Sequence, residues 1–364
     1  MNLNEINDGV TDATGFIQKM LDNRVNGKVF IPAGRYRITA PLVVHSDTYI
    51  EADSNAVLYM CGDTPKDSTS FLLTTDTKTK TENVRIRGGI WDGNNQGKFN
   101  TKGDIFRLDG YSGAVLNFFD VRGLELYDMV VSNSVTYNIR MARISDFRIE
   151  NISFVSDKPA FNQDGLHFNG NCRNGVIRNI RALSKGQTND DLIALNADDE
   201  MKRVENVGME RGDIENLLIE NVYAENCHTL VRLLSVDHSI RNVTLRNIYG
   251  GYRYYAVNAD AARYCRTPLF DDSNEPAGVG NIENVLIENM TCYSESSGPA
   301  VIVESLCNNF QIKNFRFLSD NGYAAEIKNL TGTTVKTESS EYAVMNKNDR
   351  LQVKIFNDMT IEKA

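Results

Sequence analysis

The chain reads as an all-β protein wound into a single-stranded parallel β-helix, and three observations carry that expectation. The first is a unit of the form apolar, x, Asn, apolar, x, apolar, x, Asn, apolar, seen at Ile214–Val222, Ile240–Ile248 and Ile282–Met290, with a shorter copy at Phe147–Ile152 and weaker copies at 83–88, 124–129 and 310–315. The second is strict alternation of Val, Ile, Leu and Phe with polar residues, which marks short strands with one face inward and argues against amphipathic helices. The third is spacing. Asn151, Asn179, Asn221, Asn247, Asn289 and Asn314 are separated by 28, 42, 26, 42 and 25 residues, which fits coils of one basic length with loops inserted into two of them. Solenoid repeats of about 20 to 50 residues tolerate such insertions because each coil touches only its neighbours.

Taken from the N-terminus, residues 11–24 are expected to form a helix capped by Thr11, with Phe16, Ile17, Met20 and Leu21 at helical spacing, plugging the open end of the solenoid. Coils then occupy residues 27–336, starting at the strand-like run Lys28–Ile38. The repeat Asn residues are expected to turn the chain in left-handed backbone conformations and to stack their amides into a ladder. Residues 337–364 lose the Asn pattern but keep a strand-like run at Leu351–Phe356, which would close the other end. The whole chain is expected to be one elongated domain, since the repeat has no linker-like break.

Composition narrows the function classes. A net charge of −9 disfavours general affinity for nucleic acid or anionic membranes. No apolar run has the length of a membrane span, and the start Met1–Asp8 lacks a signal peptide's basic and hydrophobic regions, so the expected location is cytoplasmic, with a secreted or virion-associated protein as the alternative. Cys61, Cys172, Cys227, Cys265, Cys292 and Cys307 show no metal-ligand spacing and read as buried thiols. No cofactor and no metal site is expected, and the oligomeric state is not legible.

Two acidic segments carry the chemistry. Asn162-Gln163-Asp164-Gly165 and Asn189-Asp190-Asp191 are one coil apart, and aligning Asp164-Gly165-Leu166-His167-Phe168 with Asp191-Leu192-Ile193-Ala194-Leu195 puts Asp164 and Asp191 at equivalent positions, about one strand spacing apart. Cleaving a glycosidic bond takes one carboxylic acid to protonate the leaving oxygen and one carboxylate to activate water or attack the sugar. Crowded carboxylates raise one another's pKa, which lets one keep its proton near neutral pH. Taken singly, Asn-Gln-Asp-Gly is more often a turn than a site; the ordered set on coils of matching length favours catalysis.

At these residues the chain resembles glycoside hydrolase family 28, the polygalacturonases and their relatives, which are pectin lyase-like right-handed parallel β-helices. The resemblance covers about residues 83 to 260, beginning with Tyr137-Asn138-Ile139-Arg140. Asn162-Gln163-Asp164 is similar to that family's Asn-Thr-Asp motif, Asn189-Asp190-Asp191 to Gly-Asp-Asp, and Cys227-His228-Thr229 to Gly-His-Gly with only its His kept. The resemblance implies Asp190 as general acid, Asp164 and Asp191 as the carboxylates activating water, His228 as their partner, and inversion at the anomeric carbon. It also implies an Arg-Ile-Lys motif gripping a uronate, and here the chain has Ala256-Val257-Asn258 instead. Arg253, Arg263 or Arg232 would have to replace those cations, or the sugar in that subsite is neutral.

Further candidates for substrate binding are Arg140, His167 and Arg232, expected on the carboxylate face, together with Arg253, Tyr255 and Asn258. Tyr137, Tyr252, Tyr254 and Tyr255 are aromatic planes on which sugar rings could stack. Asn196–Glu200 and Asp271-Asp272 read as loop residues. The expected function is a glycoside hydrolase acting on a pectin-like or other acidic polysaccharide or oligosaccharide. Two alternatives stand beside it. A lyase on the same scaffold would use Arg140 or Arg232 as base with a cation on the uronate. A tailspike-like or adhesin-like β-helix would hold a glycan without cutting it.

Overall fold

The computed structural model describes residues 3–61, 71–95, 114–160, 162–198, 210–261, 280–305, 307–319, 321–328, 335–336, 342–347, 350–355 and 359–361. Among them parallel strands predominate, each coil pairing with the one before and after. Two corners of every central coil are made by the two Asn of the repeat unit. Asn216 (φ +60) and Asn221 (φ +59) turn the chain in the left-handed region, where Asn is tolerated because its short amide bonds locally.

The expected ladder is present. Asn179 donates to Asn151 (2.8 Å), Asn221 to Asn179 (3.0 Å), Asn247 to Asn221 (3.1 Å), Asn289 to Asn247 (3.2 Å) and Asn314 to Asn289 (2.7 Å). The first Asn of each unit forms a second ladder five residues upstream, from Asn174 through Asn216, Asn242 and Asn284 to Asn309. Between and beyond these corners the alternating apolar residues close on one another, giving a single continuous core from Ile6 through Ile149, Ile219 and Val285 to Ala325.

The N-terminal helix spans Thr14–Asp22 and buries Ile17 and Leu21, with Phe16 and Met20 packed at its margin. Thr11 is not its cap. It lies in a strand, Asp8–Asp12, that pairs with Gly34–Ile38, and the first helical turn is held instead by the Asp12 carboxylate, which accepts the Thr14 N–H at 3.0 Å. At the other end Tyr342–Lys347 and Arg350–Ile355 form an antiparallel hairpin, and the second of these strands pairs with Tyr323–Lys328.

One face of the solenoid positions the site. Its strands are Leu73–Thr75, the first parts of Leu116–Ser132 and Ile139–Val155, then Leu166–Phe168, Asp191–Asn196, the last parts of Ile214–Leu234 and Ile240–Asp260, and Pro299–Glu304. Pairing of Leu166 with Ile193 and of Ile193 with Val231 fixes the register. An outward row therefore runs Asn117, Arg140, His167, Ala194, Arg232, Asn258, coil after coil.

Candidate active site

Asp164 and Asp191 meet as the alignment of their strands requires. The backbone N–H of Asp191 donates to Asp164 Oδ1 at 3.2 Å, and the Gly165 N–H donates to the Asp191 carbonyl at 2.9 Å. Glycine is needed after Asp164 because a Cβ there would run into the Leu192 carbonyl oxygen. The other Asp164 oxygen is bonded to His167 Nδ1, and the amide nitrogen of Asn169 faces His167 Nε2 at 3.2 Å. Tyr137 packs on the same imidazole with ring centroids 4.0 Å apart. Both Asp164 and His167 are buried. Burial pushes the Asp164 carboxyl up to about 6, against the lowering pull of the His167 hydrogen bond.

Asp191 is also buried, and Arg232 lies behind it. One guanidinium nitrogen of Arg232 is 3.5 Å from Asp191 Oδ2 and the other donates to Asp260 Oδ2 at 3.2 Å. Asp260, which sequence reasoning missed, is fully buried on the next coil. Its signal was faint: an acidic residue at the outward end of a strand whose neighbours are apolar.

The open part of the site is a rim of three side chains from three successive coils. Asp190 is partly exposed, and its Oδ1 lies 3.5 Å from His228 Nδ1. The His228 ring stacks on Tyr254, with centroids 4.2 Å apart and planes at 24°, and Tyr254 in turn meets Tyr255 edge-on. Tyr254 is 57% exposed. Asp190, Asp191 and His228 each place one donor atom within 4.8 Å of the others, a spacing that would suit a divalent cation.

The remaining sequence candidates fall in different places. Arg140 is fully buried: its Nε donates to Asn117 Oδ1 at 3.0 Å and its guanidinium lies over Phe71, so it belongs to the packed floor and not to an open groove. Asn258 is buried beside Arg232 in the outward row. Arg253 is turned onto the protein, bonded to Asn189 and Asn226, and burial lowers its pKa from the ordinary value. Tyr255 sits on the coil after Thr229, in line with Asp191. Tyr252 is a core residue packed against Phe317, not a groove aromatic.

Asp198 lies in a turn, as expected, and is fully buried there. It accepts the backbone N–H groups of Val236, Asp237 and His238 and pairs with the His238 ring at 2.6 Å. Asp199, Glu200, Arg263, Cys265, Asp271 and Asp272 lie outside the described residues. The other five cysteines are free thiols, and burial raises those of Cys172, Cys227, Cys292 and Cys307. A groove of about 750 Å³ lined by Arg122, Arg143, Arg173, Asp120, Asp146 and Glu210 lies away from the three catalytic candidates.

Comparison with solved structures decides the handedness and the fold group. The family 28 exopolygalacturonase of Yersinia enterocolitica superposes with a TM-score of 0.63 at 17% identity, over 93% of this chain and 76% of that one. The fold is the pectin lyase-like right-handed parallel β-helix. Other proteins with this β-helix include the endo-xylogalacturonan hydrolase of Aspergillus tubingensis (TM-score 0.57, 14% identity, 98% of this chain and 97% of that one) and the Streptococcus pneumoniae surface adhesin PfbA (0.58, 14%, 93% and 99%). No protein-family profile and no curated protein matches the sequence. At these identities the likeness concerns the β-helix itself, which hosts both glycosidases and an adhesin. Among the described residues, no helix is long and apolar enough to cross a membrane.

Proposed function

We infer that the protein is a glycoside hydrolase acting on a polysaccharide or oligosaccharide, of the pectin-like or other acidic class. The observation that carries this reading is the division between Asp190, open to solvent at the rim, and Asp191, its immediate neighbour, held from behind by Asp164 and Arg232. In this reading Asp190 protonates the leaving glycosidic oxygen while Asp191 activates the water. Asp164 supports Asp191 through the backbone N–H and is itself hydrogen-bonded to His167. The exposed Tyr254 ring is the plane on which a sugar's C–H face would stack.

Inversion is what the family resemblance implies. Retention through a covalent glycosyl-enzyme intermediate is the other outcome open to a pair of carboxylates. Proton NMR of the first-formed anomer tells the two outcomes apart.

The test of the function itself is reducing-end release from pectic, other acidic and neutral glycans by wild type and Asp190→Asn, with absorbance of unsaturated products followed in parallel. Release lost in the variant, with no new absorbance, supports hydrolysis. Two observations keep other readings alive. The Asp190, Asp191 and His228 donor set would suit the cation of a lyase, which new near-ultraviolet absorbance, abolished by chelation, would reveal. The adhesin with the same fold favours a binding protein that does not cleave, which a silent wild type that still binds glycan, unaffected by Asp190→Asn, would support.

A further inference from the structure

Asp190, His228 and Tyr254 each stand next to, or two residues beyond, a residue of one hydrogen-bonded strap. Arg253 immediately precedes Tyr254. Its Nη2 donates to Asn189 Oδ1 at 2.6 Å, and its Nη1 donates to the Asn226 carbonyl at 2.7 Å and to Asn226 Oδ1 at 3.1 Å. Asn189 immediately precedes Asp190, and Asn226 lies two residues before His228. The strap continues one coil further, because the Asn189 amide nitrogen donates to the Ala160 carbonyl at 2.9 Å. A second bond joins the same segments: the His228 N–H donates to the Thr188 carbonyl at 2.9 Å.

The geometry points to Arg253 as the positioning residue of the rim, a planar fork that ties the turn carrying Asp190 and the strand segments carrying His228 and Tyr254 into one unit and so sets where the acid stands relative to the sugar plate. This inference rests on the hydrolase reading for its catalytic consequence and on the hydrogen bonds alone for its structural one. Only Arg has the shape for the task. Its two Nη groups reach acceptors on two different coils at once, whereas the single ammonium of Lys on the same stem would reach one set or the other. The surroundings explain why such a device is needed. The strand ladder is irregular here, with register shifts between Ala224 and Cys227 and between Cys227 and Thr229, and Asp190 and His228 lie 3.5 Å apart beside that break. The guanidinium makes its three bonds to neutral acceptors of the protein, which is a different task from the uronate grip expected of it.

The experiment compares wild type, Arg253→Lys and Arg253→Gln as full-length proteins. The chain has four histidines, so ring NMR of histidine-labelled protein gives four resonances that single His variants assign, with no substrate required. In Arg253→Gln the His228 resonance is expected to move while those of His45 and His238, on other parts of the solenoid, stay in place, with Arg253→Lys intermediate. On whichever glycan the wild type cleaves, kcat is expected to fall about 10- to 100-fold in Arg253→Gln, as for a misplaced acid, with KM changed by less than about threefold and partial rescue by Lys. An unmoved His228 resonance overturns the inference. So does movement of His45 and His238 together with His228, which marks general loosening, and so does a raised KM with kcat intact, which would make Arg253 a substrate contact. Because the NMR arm needs no turnover, a protein that cleaves nothing but shows the selective His228 shift would separate failure of the hydrolase reading from failure of the strap.

Discussion

The Asn corners and the site face are built by opposite rules. At the corners one residue type recurs coil after coil, each amide satisfying the next, in solvent. On the site face the outward row Asn117, Arg140, His167, Ala194, Arg232, Asn258 changes its chemistry at every coil, and most of it is buried. A repeated exposed ladder is scaffolding, because any one rung can be replaced by a neighbour of the same kind. Buried polar groups that differ from one coil to the next need individual partners, such as Asp260 for Arg232 and His167 for Asp164, and burial without such partners would be costly. That expense is characteristic of a site.

The contrast is testable from both sides. The largest effect is expected at the rim, where Asp190→Asn should lower the rate of reducing-end release by roughly 10²- to 10⁴-fold with the thermal midpoint nearly unchanged; a full-rate variant would break the assignment of the acid.

Next comes the pH response of the buried pair. Asp164 is raised from 3.8 to about 6 in the folded chain, so its folded state favours the proton. The stability this contributes is complete below pH 3.8 and lost as pH rises through about 6. Asp164→Asn cannot ionise, so between pH 4 and 7.5 the wild-type midpoint should fall more than the variant's; parallel curves would show that Asp164 keeps an ordinary pKa.

A smaller effect is expected at the corners. Asn221→Ala removes ladder bonds on both sides and leaves a β-carbon at φ +59, for a loss of about 1–2 kcal/mol in denaturant unfolding with unchanged kcat. Asn221→Gly should cost less, since glycine accepts the left-handed backbone. Equal losses in the two variants would mean that the amide bonds, not the backbone, carry the corner.

The smallest effect expected is none. Chelation with EDTA should leave reducing-end release unchanged under the hydrolase reading, whereas loss of activity would assign the Asp190, Asp191 and His228 cluster to a cation.

Much of this was legible beforehand. The repeat Asn and the one-coil separation of Asp164 from Asp191 are properties of pattern and period, and a stacked solenoid converts both directly into register. Less legible was the fate of individual polar residues. Arg140 and Arg232 share the expected row, yet one is sealed against Phe71 and the other bridges two carboxylates. Tyr252 and Tyr254 are two positions apart, one in the core and the other mostly exposed, and the local sequence Tyr252-Arg253-Tyr254-Tyr255 gives no cue to which is which.

By itself, then, the sequence determined the coil, its corners and the meeting of Asp164 with Asp191, because strand alternation and Asn turns are local and the stacking period carries them into space. Only the tertiary structure decided that Arg253 straps the rim, that Asp260 backs Arg232, and that Tyr254 offers an exposed ring. The physical reason is that these partners project from a turn, a strand end and an irregular stretch of strand, where no periodic rule operates. Arg253 reaches Asn189 across 64 residues, and the contact exists because a turn and two irregular strand segments were brought side by side by strands that encode only their own register.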